Sequence, residues 1–169
     1  MPPAEAARAA VALGSNLDQP AIHVRRALDE LGQLPRTRLL VRSPLYRSVA
    51  VGPDGRPAPQ PDFCNAVALL KTGLSPRELL QALQALEAAH GRRRGARWAP
   101  RSLDLDLLVH GDTVLDEPGL KLPHPRLAER NFVLYPLRDI APELEIPGLG
   151  RVRELTQRLN DTGLESWRD

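Results

Sequence analysis

The chain has 169 residues with 23 Lys and Arg against 21 Asp and Glu, a formal net charge of +2; it is no general polyanion binder, and any anion chemistry must come from local clustering. Hydrophobic residues make up 42% and charged residues 26%, usage that excludes wholesale disorder and suits a single domain, 1–169, around one sizeable core. Cys64 is the only cysteine, which excludes an internal disulfide and thiolate metal clusters and fits a reducing compartment, so a cytoplasmic location is expected.

Met1–Ala10 contains Pro2, Pro3, Glu5 and Arg8 and lacks the unbroken apolar stretch of a signal peptide, and no run in the sequence approaches a membrane span. Ala9–Leu13 is small and apolar and reads as a first strand that stops in a turn at Gly14-Ser15-Asn16. A helix follows, with Pro20 in its first turn, Val24, Ala27, Leu28 and Leu31 on one face and Gly32 at its far end. Arg38–Tyr46 reads as extended. Val51–Pro61 holds Pro53, Pro57, Pro59 and Pro61 with Gly52 and Gly55, so it is a long loop, a binding loop or a plain surface insertion. Phe63–Lys71 is the next strand. Ser75-Pro76-Arg77-Glu78 spells a capping box with proline at the first helical position, opening a helix whose buried stripe is Leu79, Leu80, Leu83 and Leu86 and which stops at Gly91. Ser102–Val109 is a strand, Gly111-Asp112 a hairpin turn, Phe132–Leu137 an apolar segment and Val152–Leu159 a short helix. This order suggests an α+β sandwich with helices packed on a largely antiparallel sheet.

Within Ser102–Val109, alternation sends Leu103, Leu105 and Leu107 to one face and Asp104 and Asp106 to the other. Two carboxylates on one face repel unless a cation lies between them, and hard oxygen ligands suit Mg²⁺, although an isolated D-x-D is more often the solvated face of a half-buried strand. Immediately upstream, Gly91–Arg101 reads GRRRGARWAPR, five arginines without an acidic residue. Arginine pairs bidentately with phosphate oxygens; the run alone is equally a solvated basic loop or a nucleic-acid patch, and its position beside the aspartates is what favours phosphoryl transfer. Aromatics are only 4% of the chain, so Trp98 in this loop, and Phe63 and Phe132 beside polar residues, stand out as a stacking residue and as two walls for a flat heterocycle, against their default reading as anchors and core. Asn65 offers a donor and an acceptor to such a ring, or caps a turn. His124, in Leu122-Pro123-His124-Pro125, is placed to meet a phosphate; His23, His90 and His110 have no partners at metal-binding spacing.

RWAPRSLDLDLL at 97–108 strongly resembles the signature of the 6-hydroxymethyl-7,8-dihydropterin pyrophosphokinase family. ALGSNL at 12–17, SPLYRS at 43–48, PDFCNAV at 61–67, LPHPRLAERNFVLYPL at 122–137 and IAPEL at 140–144 follow in the family's order, so the resemblance covers nearly the whole chain. It implies a ferredoxin-like α+β fold and transfer of diphosphate from ATP to the pterin's hydroxymethyl group, releasing AMP, in folate biosynthesis. By the same resemblance Asp104 and Asp106 bind two Mg²⁺ ions on the triphosphate; Gln84, Glu87, Arg92, Arg94, Trp98, Arg101, Leu107, His124 and Arg130 hold ATP; and Phe63, Phe132, Asn65, Ser48 and Val51 hold the pterin. Arg92, Arg101, Asp104 and Asp106 are the expected catalytic group, and the Pro-rich and Arg-rich loops are expected to close over the ligands. ATP and the pterin are the expected partners of a monomer that meets neither nucleic acid nor membrane. Two other functions fit parts of the pattern: another Mg²⁺-dependent nucleotidyl or phosphoryl transferase, which lacks the aromatic pocket, and an RNA-binding α+β module, which leaves the aspartate pair unexplained.

Overall fold

The computed structural model describes residues 6–17, 19–52, 54–91 and 102–169. Its elements in order are β1 (Ala7–Ser15), α1 (Pro20–Leu31), β2 (Thr37–Arg42), β3 (Tyr46–Ser48), β4 (Phe63–Thr72), α2 (Pro76–Ala89), β5 (Asp104–His110), β6 (Leu115–Glu117), β7 (Leu120–Leu122), a 3₁₀ turn at Leu127–Glu129, α3 (Asn131–Ile140), β8 (Glu145–Ile146), β9 (Gly150–Arg151), α4 (Val152–Gln157) and β10 (Leu164–Ser166).

The helices form where the sequence signals them. Pro20 opens α1, whose buried residues Ala21, Val24, Ala27, Leu28 and Leu31 recur at helical spacing. At α2 the box closes both ways: Ser75 Oγ accepts from the Glu78 N–H at 3.1 Å and Glu78 Oε1 accepts from the Ser75 N–H at 2.9 Å. Leu79, Leu83 and Glu87 are the buried positions of α2, with Leu80 and Leu86 half-buried beside them. The helix ends at Ala89, and Gly91 turns the chain away with a φ of +84°.

Ten-residue β4 is the axis of a six-stranded, wholly antiparallel sheet. It pairs with β1 from Ala7↔Thr72 to Ser15↔Cys64 on one side, and with β2 and β3 on the other. β5 adds outside β1 and β10 outside β3. Side chains at alternating positions leave opposite faces, so the sheet carries a core on each. Ala9, Val11, Leu13, Ala66, Ala68, Leu70, Leu103, Leu105 and Leu107 pack under α1 and α2; Ala10, Val67, Leu69, Leu108 and Val109 pack with α3 and α4. The layering is the ferredoxin-like α+β sandwich expected, with helices on both faces. A bulge breaks the β1–β5 ladder: Val11 is opposite Leu107 and Ala10 opposite Val109, leaving Leu108 as the extra residue.

Several elements differ from the sequence reading. β1 runs on through Gly14 and Ser15 instead of turning there. The extended run after Arg38 is interrupted by Ser43–Leu45, where Pro44 cannot donate to a ladder and Ser43 Oγ accepts from the Val67 N–H at 2.9 Å. Gly111 does turn the chain, with a φ of +55° and its N–H on Arg8 O at 2.7 Å, but no paired strand returns: β6 pairs with β7 instead, around Pro118-Gly119. The apolar run 132–137 lies inside α3, and β10 beyond α4 carries no strand signal in its residues.

Candidate functional site

The sheet register gathers the site at one end of the face that α3 covers. Gly14 of β1 stands opposite Asn65 of β4 on one side and Asp104 of β5 on the other, Ala12 opposite Asp106, and Ser48 of β3 opposite Phe63. Directly opposed residues share a face, so Asp104, Asp106, Gly14, Asn65, Phe63 and Ser48 all open one way. Above them lies a cavity of about 470 Å³, bounded by Ser48–Val51 and Phe63 on one side, Phe132 on another, and His124, Arg126 and Arg130 over the carboxylates.

Ser48 and Asn65 are 6% and 5% exposed, and the Ser48 hydroxyl donates to Asn65 Oδ1. That bond fixes the amide and turns its Nδ2 toward Gly14, where a Cβ would sit 3.2 Å from Nδ2 and 3.6 Å from Phe63 Cδ1. Glycine in a strand interior marks such a close approach. Below the cavity rim, Asn16 Nδ2 donates to Gln60 Oε1 at 3.0 Å and to Pro61 O at 3.2 Å, tying the end of the Pro-rich loop to the end of β1. Among its described residues that loop folds back on itself through Ala58 N–H to Ala50 O at 2.8 Å and Gly52 N–H to Arg56 O at 2.9 Å.

At the carboxylate end, Arg130 Nη1 donates to Asp106 Oδ2 at 3.4 Å, and its guanidinium lies 5.6 Å from the centroid of the Phe132 ring. His124 Nδ1 accepts from the Arg126 backbone N–H at 3.2 Å, leaving Nε2 to carry the proton, 3.9 Å from Asp106 Oδ2. Burial, and then the charge of Arg130, push the imidazole down to about 4, with Asp104 pulling the other way; His124 is therefore neutral at pH 7. Its backbone N–H donates to Leu108 O at 2.8 Å, so β5 holds both the carboxylates and the imidazole that faces them. Glu87, 5% exposed on α2, accepts the Leu105 N–H on Oε2 at 2.8 Å and so secures the start of β5.

Asp106 and His124 also line a second cavity of about 280 Å³, where Leu80, Leu105, Leu107 and Leu120 make the apolar surface. The two cavities share Asp106 and His124, so a hydrogen-bonding aromatic slot and an apolar slot meet at one carboxylate and cation centre.

Of the residues singled out from the sequence, Asp104, Asp106, Ser48, Val51, Phe63, Asn65, His124, Arg130 and Phe132 line the larger cavity and Leu107 the smaller. Gln84 is exposed on α2 and Glu87 lies beneath it. Arg92, Arg94, Trp98 and Arg101 lie outside the described residues. The reading missed Gly14, taken as a turn residue, and Arg126, which a basic residue two places after His124 did not distinguish from the surface.

Residues 10–142 match the family model described as 7,8-dihydro-6-hydroxymethylpterin-pyrophosphokinase (HPPK). The Pseudomonas aeruginosa 2-amino-4-hydroxy-6-hydroxymethyldihydropteridine pyrophosphokinase is 49% identical over 158 residues, 94% of this chain and 95% of its own. The Haemophilus influenzae protein of the same name is 40% identical over 151 residues, 89% of this chain and 92% of its own. Among solved structures, wild-type Plasmodium falciparum HPPK-DHPS with pterin and p-hydroxybenzoate superposes with a TM-score of 0.73 at 15% identity over 96% of this chain, which spans only 45% of that longer one; this likeness bears on the fold.

Proposed function

The chain belongs to the 7,8-dihydro-6-hydroxymethylpterin-pyrophosphokinase family and is an ATP-dependent diphosphokinase of folate biosynthesis, and we propose that the two joined cavities are where it moves the diphosphate of ATP onto the hydroxymethyl group of 6-hydroxymethyl-7,8-dihydropterin. The pterin lies between Phe63 and Phe132, with Asn65 against its polar edge and the Ser48–Val51 wall closing the pocket. Leu107 belongs to the nucleotide's apolar slot, and the resemblance adds Gln84, Glu87, Trp98, Arg92, Arg94 and Arg101 to the ATP contacts.

Asp104 and Asp106 are suited to Mg²⁺: both are half-buried oxygen donors on one face of β5, and both line the cavity. We assign them two Mg²⁺ ions when ATP is bound; the metal supplies neutralisation of phosphate charge. The protein's own part is alignment. The hydroxymethyl oxygen forms a bond to the β-phosphorus, the bond from that phosphorus to the α,β-bridging oxygen breaks, AMP departs and the hydroxyl proton is released. Neutral His124 gives a phosphate oxygen an Nε2–H and Arg130 gives it a fixed charge.

The observation that carries this reading is the shared opening of the Asp104/Asp106 carboxylates and the Phe63/Asn65 pair into one cavity. An RNA-binding module has no use for that enclosed pair. We read the whole chain, 1–169, as one catalytic domain acting on small molecules as a cytoplasmic monomer, without nucleic acid or membrane partners; among the described residues no helix is long and apolar enough to cross a membrane. The test is product analysis: with ATP, Mg²⁺ and the pterin, AMP should form only when both pterin and Mg²⁺ are present, whereas ADP would identify an ordinary kinase. Asp104→Asn and Asp106→Asn should each lower turnover by at least about a hundredfold while the far-UV spectrum stays that of the parent; full turnover in either would reject the metal assignment.

A further inference from the structure

Asn131 lies between two wall residues of the larger cavity, Arg130 and Phe132, yet does not line it. Its side-chain nitrogen donates to two carbonyl oxygens near the C-terminus, Asn160 O at 3.1 Å and Thr162 O at 3.0 Å. That short turn is held in shape from within: Asn160 Oδ1 accepts from the Thr162 N–H at 3.1 Å, and Gly163 takes a φ of +76°. Gly163 O in turn accepts from the Val49 N–H at 3.2 Å. From there β10 runs along β3 with Leu164 opposite Ser48, the Arg47 guanidinium lies 4.6 Å from the Trp167 ring centroid, and the Trp167 N–H reaches Leu45 O at 3.0 Å. The 160–163 turn therefore grips the start of α3 through Asn131 and the β3 end through Val49, outside the cavity that both enclose.

We propose that Asn131 is a positioning residue: by tying the Arg130–Phe132 wall to the 160–163 turn it fixes the gap between Phe132 and the Ser48–Val51 wall, and so sets affinity for the pterin more than for ATP, which meets this wall through Arg130 alone. A flat ring between two walls gains its contacts at one spacing, since a radial gap of roughly 0.5–1 Å already forfeits a quarter to a half of each contact. Among the described residues, none that lines the smaller cavity around Leu107 belongs to this bridge. The inference rests on assigning the larger cavity to the pterin.

Asn131→Ala and Asn131→Asp test it together. The aspartate keeps the shape and favours the first turn of a helix, but its carboxylate cannot donate to two carbonyls. Pterin binding is followed by its own fluorescence with Mg²⁺ and a non-hydrolysable ATP analogue, and KM for each substrate is measured separately. Both variants should raise the pterin Kd and KM about five- to tenfold, and the KM for ATP, through Arg130, by no more than about threefold. Unchanged pterin affinity in Asn131→Ala overturns the proposal, as does an equal loss for both substrates. Phe132→Ala measured alongside separates the two levels: if it binds pterin like the parent, the cavity assignment fails, whereas weakened Phe132→Ala with parental Asn131→Ala rejects the role of Asn131 alone.

Discussion

Gly14→Ala sets backbone stability against the site. Gly14 is inside β1, and glycine in a strand costs roughly 0.5–1 kcal/mol relative to alanine, so on propensity alone the variant gains. The added Cβ lies 3.6 Å from Phe63 Cδ1, an ordinary contact, but 3.2 Å from Asn65 Nδ2, which must yield by a few tenths of an ångström. Asn65 is buried and its other amide atom is held by Ser48. Overpacking a methyl against fixed neighbours costs typically about 1–3 kcal/mol, so the net loss of stability is about 0–2.5 kcal/mol, at the upper end roughly 5–10 °C in Tm. On the proposed assignment the displaced amide would meet the pterin edge, and a loss of about 1.4 kcal/mol there is a tenfold loss of affinity. Titrating Gly14→Ala with the pterin should show that tenfold weakening with the Kd for ATP unchanged. In the Ser48→Ala background Asn65 is released to move, so the further effect of Gly14→Ala should shrink, a coupling of about 0.5–3 kcal/mol. Parental pterin affinity in Gly14→Ala, or strict additivity in the double variant, would refute the reasoning.

Cys64 is fully buried, and that burial pushes its thiol up to about 12; at pH 8 the native protein should resist a thiol-exchange reagent until denaturant exposes it, and rapid native labelling would contradict the burial. Because the unfolded thiol ionises near 9 and the folded one near 12, its contribution to stability is complete below pH 9 and is lost as pH rises through that window, so Cys64→Ala should show a shallower fall in Tm there than the parent. Ser75→Ala removes one half of the capping box at α2 and should cost about 1 kcal/mol, roughly 2–4 °C in Tm, with both KM values unchanged; an unchanged melting curve would show that the cap contributes nothing.

Local periodicity was enough to find α1, α2 and the face of β5 that bears Asp104 and Asp106, because each depends on side-chain spacing within one segment. Pairing across the chain was not legible in this way. Nothing near Leu164 announces that it will lie beside Ser48, more than a hundred residues earlier, and the exposed pattern of β10 carries no apolar alternation. The Gly111-Asp112 turn was visible, but whether a strand pairs after it depends on what the β5 edge meets, and here the competing Pro118-Gly119 signal closes the hairpin. Gly14 was misread because a strand-interior glycine and a turn glycine look alike until the opposing residue, Asn65, is known. The site residues that the family resemblance supplied, Gln84 and Glu87 among them, had no physical signature of their own, since an exposed glutamine and a lone helical glutamate are ordinary.

The bulge at Leu108 divides β5 into two halves with separate parity. Toward the bulge's N-terminal side the strand keeps strict alternation, so removing or adding a residue between Asp104 and Asp106 would send one carboxylate to the α1/α2 layer. Beyond it, Val109 and His110 already count from a new origin. Length changes in the far half and in the turn at Gly111 are thus insulated from the carboxylates, whereas a change between Asp104 and Asp106 is not.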